Sequence, residues 1–118
     1  MQTNILGTNL EVCCSSPVTG YYRDGVCRTS EEDTGTHTVC AIVTTAFLEY
    51  SKSRGNDLMT PAPHFNFPGL KEGDKWCLCA LRWKEAYEAG CAPKIIAEAT
   101  SNLTTRFVEK EVLLEYKA

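Results

Sequence analysis

The chain lacks long hydrophobic runs. None of its apolar stretches approaches the roughly 18 residues of a membrane-crossing helix, so no span is expected. It also lacks a basic excess. Twelve Lys and Arg stand against fifteen Asp and Glu, a formal net charge of −3. A general nucleic-acid binder needs the opposite balance to displace counterions from phosphates, and so does a protein held at an anionic membrane. Neither nucleic acid nor membrane is therefore expected as a partner. Histidine is scarce, with two residues, and there is no Cys-x-x-Cys knuckle. There are no internal repeats and no low-complexity tract. Residues 1–10 carry no positive cluster and no apolar core of a secretory leader. The expected setting is intracellular and cytoplasmic.

What remains is an ordinary globular composition with one excess. Of 118 residues, 43% are apolar and 23% charged, which suits a single domain over 1–118 that needs no staples. The excess is cysteine, at Cys13, Cys14, Cys27, Cys40, Cys77, Cys79 and Cys91. Seven cannot all pair internally, and a reducing compartment disfavours disulfides. The expectation is thiols or metal ligands rather than a disulfide framework.

The fold class expected is α+β, a small mixed or antiparallel sheet with two or three packed helices. Residues 1–36 are turn-rich, with turns around Ser15-Ser-Pro17, Thr19-Gly20 and Asp24-Gly25 between short extended pieces. Residues 37–44 form the clearest strand, β-branched and apolar on both faces as in a sheet centre. Thr44 or Thr45 caps a helix over Phe47, Leu48, Tyr50 and Ser51, ended by Gly55. The loop 56–73 is punctuated by Pro61, Pro63 and Pro68, and Phe65 and Phe67 pin it to the core. Asp74 caps the main helix, which ends near Ala89, with Trp76, Cys79, Trp83 and Tyr87 inward. Residues 94–99 read as a strand, 101–105 as a helical turn and 109–116 as a closing amphipathic helix. Strands and helices do not alternate strictly, which favours α+β over a doubly wound sheet.

Three constellations can carry chemistry. Cys27, His37 and Cys40 have residue types that suit zinc, with His37-x-x-Cys40 at a plausible ligand spacing. Cys77 and Cys79 lie ~200° apart on a helix and cannot share a metal there, although in an extended segment they share a face. Cys77 in a first helical turn gains thiolate character from the dipole, which makes Cys77 the candidate nucleophile, with His37 a second candidate catalytic residue and Arg82 or His37 able to assist if close. The alternative is that these cysteines are buried as small hydrophobes. Arg23, Asp33, Arg54, Asn56 and Asp57 are turn-borne polar groups suited to a small-molecule pocket, and Arg suits a carboxylate or phosphate. Against that, Asp and Asn in turns commonly bond their own backbone.

An ordered series of motifs runs along the chain. It comprises Leu10-Glu-Val-Cys13, Pro17-x-Thr19-Gly20, Arg23-x-Gly25-x-Cys27 and Asp33-x-Gly35-x-His37-x-Val-Cys40-Ala. It continues with Ser53-Arg-Gly-Asn-Asp-Leu58, Thr60-Pro-x-Pro63, Phe67-Pro-Gly-Leu70, Gly73-Asp-x-Trp-Cys-Leu-Cys-Ala80 and Arg82-Trp83. The series resembles a domain family of unknown function found in bacteria and plants. The resemblance implies a stand-alone intracellular domain and brings no established activity or cofactor. It implies that Cys13, Cys27, His37, Cys40, Cys77 and Cys79 belong to the shared pattern, while Cys14 and Cys91 are particular to this chain. It also implies His in other members where this chain has Ser101. The leading expectation is a small binding protein with a Cys/His/Asp/Arg-lined pocket placed where 23–40 meets 56–76. The alternatives are a thiol-dependent or redox enzyme, or a zinc protein. The partner expected is a small molecule or another protein, its identity left open.

Overall fold

The structure is a computed structural model that describes residues 2–15, 18–65 and 67–118. The turn expected at Ser15-Ser-Pro17 falls largely outside these residues. Six regular elements follow one another. They are β1 (His37–Ile42), α1 (Thr45–Ser53), β2 (Lys75–Cys79), α2 (Ala80–Glu88), β3 (Lys94–Ile95) and α3 (Lys110–Glu115). Three short 3-10 helices lie at Pro63–Phe65, Ala97–Ala99 and Asn102–Arg106. The sheet has the order β2-β1-β3, with both pairings antiparallel. The fold class is α+β.

β1 is central because both of its faces are apolar. Val39, Ala41 and Val43 point into the main core with Trp76 and Leu78 of β2, beneath Phe47 and Leu48 of α1 and Trp83 and Ala86 of α2. Cys40 and Cys77 point to the other side, into a smaller cluster with Cys13, Cys27 and Ala99. Strand alternation thus sorts hydrocarbon to one face and sulfur to the other. Thr44 caps α1 through its side chain, which accepts from the Phe47 N–H at 3.1 Å. The helix ends at Arg54, and Gly55 follows at φ 90°, a left-handed conformation that a Cβ would strain.

Residues 74–79 correct the expected helix. Of these, Lys75–Cys79 form β2 paired with β1, and only Ala80–Glu88 is helical. The four residues Trp76–Cys79, apolar on both faces, fit a strand and a buried helix equally well by period. The available edge of β1 decides between them by taking up the backbone groups of 75–79. The expected strand over 94–99 is also shorter. After Ile95 the Ile96 N–H continues onto β1, reaching Cys40 O at 2.9 Å, and Ala97–Ala99 then turns away.

Trp83 anchors the far side. It is fully buried, donates its indole N–H to Pro93 O at 3.1 Å, and meets the rings of Tyr87 and Tyr116 at 5.7 and 5.2 Å. The loop 56–73 is held rather than loose. Ser51 Oγ donates to Asn56 O at 2.8 Å, Leu70 N–H to Leu58 O at 2.7 Å, and Phe67 packs edge-on against Trp76 at 5.0 Å. The side chain of Phe65 lies outside the described residues.

Candidate functional site

Four cysteines are joined in two disulfides, Cys13–Cys40 and Cys27–Cys77, with Cα separations of 5.7 and 5.2 Å. This overturns the expectation of thiols throughout. The N-terminal loop crosses behind β1 and β2, and the antiparallel bridge Val12–Val26 sets Cys13 and Cys27 side by side beneath Cys40 and Cys77. Spacing along the chain cannot show that convergence. The Sγ atoms of Cys13, Cys27 and Cys77 lie within 4.8 Å of one another.

The expected zinc trio does not assemble. Cys27 and Cys40 sit in separate disulfides, and the His37 ring is held elsewhere. Nor is Cys77 a helix-start thiolate. It lies within β2, 1% exposed, and its sulfur is bonded to Cys27. Cys79 and Cys91 keep their thiols, and burial pushes that of Cys91 up.

His37 stands at the start of β1 beside a bulge that slips the register between His37 and Val39 and sets His37 opposite Cys79. Bulges commonly re-aim a side chain in this way. Its Nδ1 lies 2.6 Å from Asp33 Oδ1. Asp33 is buried, and its Oδ2 accepts from the His37 N–H at 2.8 Å and from Thr29 Oγ1 at 2.9 Å. Burial alone raises the Asp33 carboxyl. The bonds from the His37 N–H, the His37 ring and Thr29 outweigh it and hold the group below the ordinary carboxylate value. An ionised Asp33 only accepts, so Nδ1 of His37 donates to it and Nε2 is left unengaged by Asp33. The side chain is 38% exposed, so that nitrogen is within reach of a ligand.

Two adjoining hollows meet at His37. One, of about 330 Å³, is lined by Gly20, Tyr21, Arg23, His37, Leu58, Trp76 and Cys77. The other, of about 220 Å³, adds Gly35, Asn56, Cys79 and Arg82. Arg23 sits at φ 56°, a costly conformation for a side-chain-bearing residue. It donates to Gly20 O at 3.1 Å, and its guanidinium lies 5.1 Å from the centre of the Trp76 ring. Arg82 donates to Arg54 O at 3.1 Å and sits 3.4 Å from Glu85.

Of the expected binding residues, Arg23 and Asn56 line the cleft, and Asp33 stands behind it as the support of His37. Arg54 does not join them. It is exposed and pairs with Glu85 at 3.4 Å. Asp57 closes its own turn, accepting from the N–H groups of Met59 and Thr60 and from the Thr60 hydroxyl. Ser101 is buried and caps the 3-10 helix that follows it. The binding residues expected from the sequence do not include Trp76, Cys79 or Arg82. The places of Trp76 and Cys79 at the cleft depend on β2 being a strand, which the β1 edge decides and the local apolar pattern does not, and Arg82 reaches the cleft from α2.

Fold and site together define a small α+β protein with a buried cysteine cluster beside a cationic cleft. The chain belongs to a family described as an uncharacterized protein conserved in bacteria (DUF2237), whose model matches residues 3–117. No curated protein matches it. Among the described residues, no helix is long and apolar enough to cross a membrane.

Proposed function

We propose that the chain binds a small anion with a planar or apolar body in the cleft around His37. The observation that carries this is the charge of the lining. In a chain of net charge −3, the cleft gathers Arg23, Arg82 and the His37 imidazole, with no carboxylate among the described lining residues. Trp76 and Tyr21 supply flat apolar walls. A concave, mostly apolar hollow with a few convergent polar groups is the usual form of a small-ligand site. Arginine offers paired donors to a carboxylate or phosphate.

Calorimetry with benzoate and phenyl phosphate tests the reading. Binding near or tighter than about 1 mM, roughly −4 kcal/mol, is expected, with inorganic phosphate weaker because it lacks the ring. Arg23→Gln should weaken benzoate binding about tenfold, the loss of one charge-assisted contact. Equal binding by wild type and Arg23→Gln would contradict the proposal.

A second reading is favoured by one relationship. Cys79 lies opposite His37, sits at the N-cap of α2, and lines the same hollow. A thiol at a helix start with a carboxylate-held imidazole across from it is an arrangement suited to nucleophilic chemistry. Mapping of iodoacetamide adducts by mass spectrometry tests it. Modification of Cys79 first, slowed in Asp33→Asn, supports it, and modification of Cys79 no faster than Cys91 opposes it.

We further infer a reducing compartment, the cytoplasm. The support is the thiols retained at half-buried Cys79 and Cys91.

A further inference from the structure

The cysteine cluster goes beyond the cleft reading. Four sulfurs from four chain segments meet at one buried point. Cys13, Cys27, Cys40 and Cys77 are 6%, 0%, 0% and 1% exposed, and around them lie Ala99 and Ile96. Three of the Sγ atoms lie within 4.8 Å of one another, and the fourth, of Cys40, is bonded to that of Cys13. Four thiolates around zinc at about 2.3 Å stand roughly 3.8 Å apart. On reduction the bonded pairs Cys13–Cys40 and Cys27–Cys77 part toward that spacing, and Cys13 already stands within 4.8 Å of both Cys27 and Cys77.

The backbones of the two strand cysteines are held from outside the cluster. Thr100 Oγ1 accepts from the Cys40 N–H at 3.1 Å, and Thr19 Oγ1 accepts from the Cys77 N–H at 2.7 Å. Gly25 O accepts from the Cys13 N–H at 2.6 Å. Such supports fix ligand direction independently of the bonds between sulfurs. Cys77 also contributes to the lining of the cleft, although it is 1% exposed.

We propose that the cluster is a redox-gated zinc site. With all four cysteines reduced, Cys13, Cys27, Cys40 and Cys77 hold one zinc ion as thiolates. A peroxide oxidant converts them to the Cys13–Cys40 and Cys27–Cys77 disulfides and releases the ion. The four thiolates lose four electrons as two S–S bonds form. Two peroxide molecules take those electrons with four protons, their O–O bonds break, and four waters leave. Zinc departs as Zn²⁺ with its oxidation state unchanged. Two molecules of a dithiol reverse the change, each reducing one disulfide and becoming a cyclic disulfide. Zinc then displaces the four thiol protons. The structure is the oxidised end of this cycle. The reducing compartment inferred above favours the other end, where thiols persist.

The test uses the full chain purified under reductant without chelator. About one zinc per chain is expected, with seven titratable thiols. Peroxide should release the zinc to a chromogenic chelator in step with the loss of four thiols, leaving Cys14, Cys79 and Cys91. Cobalt added to the reduced chain should give the intense absorption of a tetrahedral four-thiolate site, a readout that needs no variant to fold. Cys91→Ser should retain zinc, and Cys27→Ser should lose it. Reduced, folded protein with less than about 0.2 zinc after zinc addition and dialysis overturns the proposal. So does an octahedral cobalt spectrum, or loss of zinc in Cys91→Ser.

Discussion

Cys40 and Cys77 face each other across β1 and β2, yet neither is bonded to the other. Each turns its N–H outward, to Thr100 and Thr19 respectively. That is the pattern of a non-hydrogen-bonded antiparallel pair, whose side chains stand closest. Each sulfur instead reaches a cysteine on the N-terminal loop and ties that loop to the sheet. The two cross-links span sequence separations of 27 and 50 residues. The chain-entropy relation puts them at about 3.5 and about 4 kcal/mol. In metal-free buffer, reductant should lower the stability to urea by several kcal/mol, and zinc should restore part of it. An unchanged urea midpoint on reduction would contradict the pairing.

Asp33 makes stability depend on acidity. Its folded pKa lies below its unfolded value, so it contributes stability that is present above the unfolded carboxylate value near 3.9. That contribution is lost as pH falls through the folded pKa. Urea titrations from about pH 6 down to about pH 2 should show a steeper loss in wild type than in Asp33→Asn. Parallel curves would remove Asp33 from the account.

Gly35 sets the space for the imidazole. A Cβ placed there would lie 2.6 Å from His37 Cε1 and 3.2 Å from Nδ1. The ring cannot swing away without leaving Asp33. Gly35→Ala should therefore alter the ring ¹⁵N shifts of His37 and weaken benzoate binding, while stability changes by about 1 kcal/mol. Unaltered ring shifts would contradict this steric reading.

Trp83→Phe tests the far side of the core. It removes the only hydrogen bond that the indole makes to Pro93 O and leaves a void beside Tyr87 and Tyr116. The expected cost is about 2–4 kcal/mol in urea denaturation, with anion binding retained once the chain is folded. A cost below about 0.5 kcal/mol would mean that the buried carbonyl finds another partner.

Much of this fold is legible in the sequence. The β-branched run of β1, the Thr44 cap, Gly55 past the helix end and Ser101 before its 3-10 turn all state their structure locally. β2 does not, because the four apolar residues Trp76–Cys79 do not distinguish a period of 2 from 3.6, and the pairing edge that decides lies far upstream in β1, with Cys40 opposite Cys77 across 37 residues. The site divides in the same way. Arg23, His37 and Asn56 are recognisable as turn-borne polar groups and do line the cleft, whereas Arg54 and Asp57, of the same kind, are spent on Glu85 and on their own turn. The disulfides are hidden for another reason. Which cysteines meet depends on the crossing of the N-terminal loop behind the sheet, and that is a tertiary fact.

The cleft is tested most directly by titrating benzoate into ¹⁵N-labelled protein and following the His37 ring, the Trp76 indole and the Arg23 side chain together. A single saturable binding curve shared by all three, and absent in Arg23→Gln, is the predicted result. No shift at these groups, or shifts confined to surfaces away from His37, would contradict the assignment of the cleft.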